Sequence, residues 1–306
     1  MNAHSAPAIS APGICVVTGA NSGIGRATAI HLAREGYTVW GTVRSLNKAG
    51  KLQAMAQAAD VQVRLVELDV ADDESVRAGF ERLLGETDGV VDVLVNNAGV
   101  GGNAVAEETP AALYLEVMNV NLCGAARCWQ QVLPGMRARG RGAIVNVTSV
   151  TGRFAALAQS PYVASKWALE GVSEALAQEL APFGVRVAII EPGVTKSAIF
   201  AKNIDTPRQS AAYDPAYRRM FQMYAAGLAH ATDPFEVGSV IHQAITAPHA
   251  TLRHTVSWGA AEMLAGRAAI TDEQWVAIGA ADTDEAYYDA FQDAFNLDLR
   301  DLGNLA

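Results

Sequence analysis

The stretch ICVVTGANSGIG, residues 14–25, joins a short apolar run to a glycine-rich turn. Its first five residues predict a buried strand, and the glycines lead into a helix over about 24–35. Such a turn brings backbone N–H groups and the positive end of a helix together, an arrangement that binds a dinucleotide pyrophosphate. The spacing is GxxxGxG rather than the common GxGxxG, so an ordinary tight turn is the alternative reading.

The rest of the chain alternates short β-branched runs with longer helical stretches. Further strands are predicted at 37–43, 61–70, 91–97, 142–149, 185–192 and 253–258, and helices at 72–84, 110–138, 161–181 and 233–247. Strands separated by helices of this length predict an α/β fold, with a doubly wound parallel sheet and helices on both faces. Right-handed crossovers place the carboxyl ends of all strands at one edge, where ligands bind.

Composition and charge narrow the function classes. The chain has 306 residues, 50% hydrophobic and 18% charged, which excludes a disordered or collagen-like protein. Its net charge of −9 argues against a nucleic-acid binder with a broadly basic surface. Residues 271–306 hold nine acids and one base, so this segment carries −8 and leaves −1 for residues 1–270. Aromatic residues stand among those acids, which predicts a docked amphipathic appendage, with a loosely held tail as the alternative.

These features predict one main domain over 13–260, a mobile N-terminal tail over 1–12 and a C-terminal extension over 261–306. The first dozen residues do not form a signal peptide, and no apolar run reaches the roughly 18 residues needed to span a bilayer. Three cysteines make an odd number without metal-ligand spacing, which suits a reducing cytoplasm. The six histidines show no paired spacing, so no metal site is expected.

The end of the second predicted strand bears on the choice of cofactor. A carboxylate there would accept the 2′-hydroxyl of NAD, whereas an arginine accommodates the 2′-phosphate of NADP. The strand ends GTVRS, so Arg44 stands at this place and no acid does. The guanidinium fork suits a phosphate, which favours NADP; a solvated surface arginine is the alternative.

Tyr162 and Lys166 are four residues apart at the start of a predicted helix and share one face. An unperturbed phenol, with a pKa of about 10, is a poor base at neutral pH. A nearby ammonium favours the phenolate and would lower that pKa. The pair could then take a proton from an alcohol or return one to a reduced carbonyl.

Several such motifs occur in order: Thr18–Gly25, Asn96–Gly99, Asn121, Ser149, and Tyr162 with Lys166. In this constellation the sequence resembles the short-chain dehydrogenase/reductase family in its single-domain form, over roughly residues 13–260. The resemblance implies a Rossmann-type sheet, a nicotinamide dinucleotide, and hydride transfer between it and an alcohol or carbonyl. The GTVR strand ending is similar to the 17β-hydroxysteroid and retinol dehydrogenase branch, which favours a bulky apolar substrate.

The resemblance also implies roles for single residues. Tyr162 is the expected acid/base, Ser149 bonds the substrate oxygen, and Asn121 holds a water in a proton relay, with Asn119 the residue most easily confused with it. Lys166 is expected to lower the pKa of Tyr162 and to bind the nicotinamide ribose. Cofactor contacts are expected from Gly19, Asn21, Ser22, Gly23, Ile24, Gly25, Arg44, Asp69, Val70, Asn96, Ala98, Gly99, Tyr162, Lys166, Pro192, Gly193 and Thr195.

Residues 195–232 show no strand pattern and predict a lid over the substrate. Its apolar candidates for substrate contact are Ile199, Phe200, Tyr213, Tyr217, Met220, Phe221, Met223 and Tyr224. The family resemblance suggests a homodimer or homotetramer built on the helices at 110–138 and 161–181. The alternatives are a dinucleotide-binding regulatory protein without turnover, an NAD-preferring dehydrogenase, and a sugar-nucleotide epimerase or dehydratase, which the NNAG motif opposes.

Overall fold

The computed structural model describes residues 8–9, 11–197 and 206–303. Within this part seven strands form one sheet: β1 (Ile14–Val17), β2 (Thr38–Val43), β3 (Val63–Glu67), β4 (Val93–Asn96), β5 (Gly142–Val147), β6 (Val185–Pro192) and β7 (Arg253–Val256). They lie in the order β3-β2-β1-β4-β5-β6-β7, and every neighbouring pair is parallel. The predicted doubly wound parallel sheet is confirmed.

Eleven α-helices are found in the same part of the chain. They are α1 (Gly23–Arg34), α2 (Gly50–Ala58), α3 (Asp73–Gly85), α4 (Ala111–Met118), α5 (Gly124–Arg139), α6 (Ser160–Leu180), α7 (Asp214–Ala229), α8 (Pro234–Thr246), α9 (Ala260–Ala269), α10 (Asp272–Gly279) and α11 (Asp284–Phe295). Side chains of α1, α2 and α8 pack on one face of the sheet, and side chains of α3, α5 and α6 on the other. Because both faces are covered, β4, β5 and β6 are buried along their whole length and consist largely of Val, Ile and Ala.

The third strand is shorter than the predicted 61–70. After Leu68 donates its N–H to the Val43 carbonyl, the chain leaves the sheet. Asp69 donates its N–H to the Ser75 hydroxyl instead of to a neighbouring strand. The apolar run continues to Val70 because these residues face the cleft at the strand edge, so hydrophobicity alone could not show where the strand ends.

The helix predicted over 110–138 is interrupted. One π-helical turn, Asn119–Cys123, separates α4 from α5. Such a turn inserts one extra residue into the helix and is frequent at functional sites. It turns the side chain of Asn121 inward, where only 2% of the residue is exposed.

The C-terminal extension is docked on the body of the same chain. Phe291 and Phe295 of α11 pack with Phe154, which follows β5, and with Met223 of α7. At Gly266 a side chain would meet the Ala294 carbonyl at 2.4 Å, so α9 and α11 lie in direct backbone contact. The alternative of a loosely held tail is wrong for the described residues of this segment.

Near the N-terminus, Ile9 donates its N–H to the Ile245 carbonyl at 3.2 Å and its side chain is buried. The chain is therefore attached within the predicted tail of 1–12, although residues 1–7 and 10 lie outside the described part. No helix in the described ranges is long and apolar enough to cross a membrane.

Candidate active site

The glycine turn after β1 forms a cradle at the carboxyl edge of the sheet. Gly19 and Gly23 have positive φ angles of 65° and 52°. A Cβ atom at Gly19 would lie 2.9 Å from the Ala98 Cα, so a larger residue would displace the β4 loop. Ser22 precedes α1 without a side-chain capping bond, and the first turn of the helix contains no acid. The first N–H groups of α1 are thus open to an anion.

Asn21 supplies a second sign of a ligand here. Its Oδ1 atom is buried and has no hydrogen-bond partner among the described residues. Asn21, Ser22, Gly23 and Ile24 all line the cleft. An uncapped helix end beside a buried polar atom fits the pyrophosphate of a dinucleotide.

Gly25 and Asn96, both predicted to contact the cofactor, do not line the cleft. A side chain at Gly25 would lie 2.5 Å from the Gly19 carbonyl, so this glycine allows the turn to close. Asn96 donates from Nδ2 to Asn146 Oδ1 at 2.9 Å, inside the sheet. Both positions face the protein interior, and their direct contact with a cofactor stays a prediction.

The residue after Asn96 was missed as a site residue, although it belongs to the quoted NNAG motif. Asn97 lines the cleft and bonds Thr18 twice, donating its backbone N–H to the Thr18 hydroxyl and its Nδ2 to the Thr18 carbonyl, both at 2.9 Å. Ala98 also donates its N–H to that hydroxyl at 3.0 Å. The turns after β1 and β4 are therefore locked together. Ala98 and Gly99 line the cleft as predicted.

The end of the cleft beside β2 is basic. Arg44 is exposed at the end of β2 and lines the cleft. Ser45 and Lys48, which were not predicted as site residues, line it as well. Asp69 and Val70 form the opposite wall. Asp69 accepts a hydrogen bond from the Ala71 N–H at 3.0 Å, so one of its carboxylate oxygens is directed at its own turn. Two cations at the end of β2 suit a phosphate.

Ser149, Tyr162 and Lys166 come together in the middle of the cleft. Tyr162 and Lys166 lie one turn apart on α6, with the Lys166 Nζ 5.6 Å from the centre of the phenol ring. Ser149 follows β5 and is hydrogen-bonded to the Tyr162 side chain. Lys166 donates from Nζ to the Val147 carbonyl at 3.0 Å. The sheet edge thus holds the serine and the lysine on either side of the phenol.

The pKa of Tyr162 moves opposite to the expected direction. Burial of the phenol raises its pKa to about 12, and the hydrogen bond with Ser149 only partly opposes this. Burial also lowers the pKa of Lys166 to about 8, while the negative charge of Glu170 acts to raise it. The ammonium is directed at a carbonyl rather than at the phenolic oxygen, so the cost of an enclosed phenolate prevails. Tyr162 is therefore held in its protonated form.

Asn121 lies behind this group and does not line the cleft. Its Oδ1 accepts from the Val100 N–H at 2.8 Å, and its Nδ2 donates to the Val100 carbonyl and the Ser165 hydroxyl, both at 2.9 Å. Ser165 in turn donates to the Tyr162 carbonyl. Asn119 instead lines the cleft and donates to the Ala71 carbonyl. The two asparagines are thus distinct, and Asn121 joins the β4 loop to α6.

The segment after β6 completes the cleft wall with Pro192, Gly193 and Thr195. A Cβ atom at Gly193 would lie 2.1 Å from the Trp258 carbonyl, so no other residue fits there without moving the backbone. The hydroxyls of Thr195 and Ser257 are 2.7 Å apart.

The substrate end of the cleft is mostly apolar. Val150, Phe154, Met223 and Met263 line it, and they also belong to the packed cluster of the C-terminal extension. A polar pair stands among them, in which Tyr224 donates to Asn103 Oδ1 at 2.9 Å. The whole cavity has a volume of about 940 Å³.

Of the lid residues predicted to meet a substrate, Met223 and Tyr224 line this cavity. Tyr217 and Met220 are buried in a neighbouring cluster that Tyr213 and Phe221 flank. Ile199 and Phe200 lie outside the described residues. Met263, Phe154 and Asn103 were missed, since nothing in their local sequence marks them.

Comparisons with known proteins agree with this geometry. Residues 13–208 match the family model described as short chain dehydrogenase. The chain is 36% identical over 255 residues to human 17-beta-hydroxysteroid dehydrogenase type 1, which covers 79% of this chain and 76% of that protein. The branch indicated by the strand ending is thus among its relatives.

Solved structures agree as well. A short-chain dehydrogenase from Streptomyces avermitilis superposes with a TM-score of 0.75 at 33% identity, covering 89% of this chain and all of that one. An alcohol dehydrogenase from the archaeon Thermococcus sibiricus, complexed with 5-hydroxy-NADP, superposes with a TM-score of 0.67 at 26% identity. The match covers 81% of this chain and 97% of that chain. With its glycine turn, its Ser–Tyr–Lys group and these matches, the chain is an oxidoreductase that belongs to the short-chain dehydrogenase family.

Proposed function

We propose that this protein is an NADP(H)-dependent alcohol dehydrogenase or carbonyl reductase, with Tyr162 as its general acid/base. The observation that carries the proposal is the shape of one continuous cavity. Its middle holds Ser149, Tyr162 and Lys166, its outer end the glycine cradle, and its inner end an apolar pocket. A dinucleotide and a substrate can therefore meet beside a protonated phenol.

The preference for NADP rests on charge. Arg44 and Lys48 stand where the adenosine ribose would lie, and both are exposed and free to reach a 2′-phosphate. Glu67, the nearest acid on β3, accepts from the Leu46 N–H at 3.1 Å. The solved alcohol dehydrogenase with an NADP derivative bound supports the same choice.

The bound nicotinamide supplies or accepts the hydride. For reduction, Ser149 and Tyr162 are placed to donate hydrogen bonds to the carbonyl oxygen of the substrate, and Tyr162 gives it a proton. A phenol with a pKa of about 12 is fully protonated at neutral pH, which suits this direction. For oxidation the same group must first lose its proton, and the charge of Lys166 favours that step.

The substrate we propose is a bulky, largely apolar alcohol or ketone. The inner pocket offers Val150, Phe154, Met223 and Met263 for apolar contact, and the Tyr224–Asn103 pair can meet a polar group. The 17-beta-hydroxysteroid dehydrogenase among its relatives acts, by its name, on a substrate of this kind. A small polar sugar would leave most of this surface without contacts.

We also propose a cytoplasmic dimer or tetramer. Leu115 on α4 and Trp167 on α6 are 71% and 50% exposed, on helices that pack against each other, and a second copy could cover them. Three free thiols, among them the exposed Cys123, suit a reducing compartment. Light scattering of the wild type and of Leu115→Glu tests the assembly, because a charge in that face should give monomers.

Tyr162→Phe is the direct test of the mechanism. The change removes the proton donor and should lower kcat for ketone reduction by roughly 10²–10⁴-fold, because a positioned acid contributes about that much. Quenching of tryptophan fluorescence should show unchanged NADPH binding. Tyr114→Phe is the matched control, since the Tyr114 hydroxyl bonds Ser160 and lies outside the cleft.

The results separate the competing functions. Near-full activity in Tyr162→Phe would refute the mechanism. A wild-type protein that binds NADPH but reduces no ketone in a broad panel would instead be a regulatory binder. Equal turnover with NADH and NADPH would overturn the cofactor assignment alone.

A further inference from the structure

Away from the cleft, two histidines and a carboxylate meet where α1 packs on α8. His31 and Glu35 are one turn apart at the C-terminal end of α1, and His242 lies on α8. One ligand atom from each lies within 4.8 Å of the other two. Within the described ranges this is the single group of three metal-ligating side chains that converge in this way.

Gly238 brings the two helices close enough for this meeting. It lies one turn before His242 on the same face of α8. A Cβ atom at Gly238 would be 3.2 Å from the His31 Cβ and 3.3 Å from the Thr28 Cα, tighter than ordinary packing. On its other side, His242 is held edge-on by the Tyr37 ring, with ring centres 5.9 Å apart. The position of the second imidazole is therefore fixed by packing.

The spacing of the three groups suits a shared ion better than hydrogen bonds. Glu35 Oε1 is 3.9 Å from His31 Nε2, and Glu35 Oε2 is 3.8 Å from His242 Nδ1. Both distances exceed those of hydrogen bonds, which end near 3.2 Å. Two tetrahedral ligands that each stand about 2.1 Å from a zinc ion are about 3.4 Å apart. The two carboxylate–imidazole distances are within about 0.5 Å of that separation.

We propose that His31, Glu35 and His242 bind a divalent transition metal ion of the zinc type. Two imidazole nitrogens and one carboxylate oxygen are donors that zinc accepts, and three protein ligands leave a fourth position for water. The ion ties the end of α1 to α8. Because α1 starts at the glycine turn, its last residues lie at the sheet edge opposite the cleft, and the site is separate from the proposed hydride transfer.

No metal site was expected from the sequence, because the three side chains are far apart along the chain. His31 and Glu35 alone are an ordinary pair on one helix face, and His242 follows more than half a chain later. The third ligand is recognisable only once α8 is known to pack on α1.

The test is a titration of the tag-free, metal-stripped full-length protein with Co²⁺ and then Zn²⁺. We expect one Co²⁺ per chain with visible absorption bands, displacement by Zn²⁺, and a higher Tm with Zn²⁺ bound. Glu35→Gln and His242→Gln should each weaken Co²⁺ binding by at least roughly 100-fold, because even residues that only orient metal ligands change affinity 10–100-fold. His249→Gln is the control, since His249 is exposed and outside the group.

Absence of visible Co²⁺ bands in the wild type, or an equal affinity in Glu35→Gln and the wild type, would overturn the proposal. So would an equal loss of affinity in His249→Gln. Glu35 is an exposed residue at the end of α1, so its substitution leaves the core intact and decides the question even if His242→Gln does not fold.

Discussion

The two ends of the cleft are held in place by different forces. At the cofactor end, directional hydrogen bonds fix single residues: the Thr18 hydroxyl accepts from two backbone N–H groups, and Asn121 bonds both backbone groups of Val100. At the substrate end, aromatic rings pack against one another at steep angles, as Phe154 does with Phe295 and Trp275, whose ring centres lie 5.2 and 5.0 Å from its own. The shape of the cofactor end is therefore set by hydrogen-bond geometry, and the shape of the substrate end by side-chain packing.

The two ends of the cleft should differ in how well they tolerate substitutions. A hydrogen bond to a backbone group requires one residue type at one position, so the cofactor end tolerates little change. A packed apolar pocket accepts many combinations of side chains of similar volume. The C-terminal extension, which supplies Met263 to the pocket, can therefore change the substrate without disturbing the cofactor cradle.

Arg219→Ala, in the contact between α7 and the C-terminal extension, should have the largest effect on the substrate end while leaving the cofactor end unchanged. The Arg219 guanidinium is 4% exposed, pairs with Asp284, donates to the Ala281 and Thr283 carbonyls, and lies 4.8 Å from the Tyr287 ring. Asp284 keeps its pair with Arg218, but the Ala281 and Thr283 carbonyls lose their donor. Each hydrogen bond from a charged group contributes about 1.5–3 kcal/mol, so the loss of both should cost at least about 3 kcal/mol. Urea unfolding should show a loss of this size, and KM for an apolar ketone should rise while Kd for NADPH stays unchanged.

Arg218→Ala is the matched control. Arg218 pairs with the same Asp284 at 2.9 Å, but its side chain is 55% exposed, so its removal should cost under about 1 kcal/mol. Equal losses in the two variants, or a parallel loss of NADPH affinity in Arg219→Ala, would mean that the two ends are not independent.

The same contrast explains what the sequence could predict. The glycine turn and the Tyr162–Lys166 pair were found because their chemistry requires those residue types at fixed spacing, and Asn121 and Ser149 were found through the family resemblance. The parallel sheet was found because buried strands must be apolar throughout. These signals are local, or repeat at regular intervals along the chain.

What the sequence missed depends on tertiary packing. Met263 and Phe154 look like ordinary core residues until α9 is docked on the loop after β5. Asn96 and Gly25 belong to motifs that were expected to contact the cofactor, yet each faces the protein interior, and a motif does not show which of its residues face the cleft. The pKa of Tyr162 was predicted to be lowered by Lys166, but burial of the phenol raises it. The four-residue spacing of the pair does not show how deeply the phenol is buried.

Arg44→Ala tests the cofactor end alone, with a smaller expected effect. A hydrogen bond to a charged group contributes about 1.5–3 kcal/mol, and an exposed one contributes less because water competes for it. Removal of the Arg44 guanidinium should therefore weaken NADP binding by about 1–2 kcal/mol, or roughly 5–30-fold. NAD binding should change less than about twofold. Isothermal titration with both cofactors measures the two constants.

Lys51→Ala controls for a general loss of positive charge, because Lys51 is exposed on α2 and does not line the cleft. If Arg44→Ala weakened NAD and NADP equally, the guanidinium would not contact the 2′-phosphate. Unchanged KM for the ketone in the same variant would show that the substrate end is unaffected.

The smallest expected effect concerns the charges behind the cleft. Glu170, one turn after Lys166, accepts from Thr148 and pairs with Arg253 at 3.0 Å. The pKa of Lys166 is lowered to about 8 by burial, and Glu170 opposes that shift. We expect kcat/KM for reduction to fall as pH rises through this pKa. The ammonium form, which stabilises the phenolate left when Tyr162 gives up its proton, is then lost.

Glu170→Gln keeps the size of the side chain but removes its negative charge, so the pKa of Lys166 should drop further. The fall in kcat/KM should begin roughly half to one pH unit lower than in the wild type. Glu174→Gln, one turn further along α6 and 53% exposed, should shift the profile less. A profile that stays in place, or moves to higher pH, in Glu170→Gln would show that the ionisation belongs to a group other than Lys166.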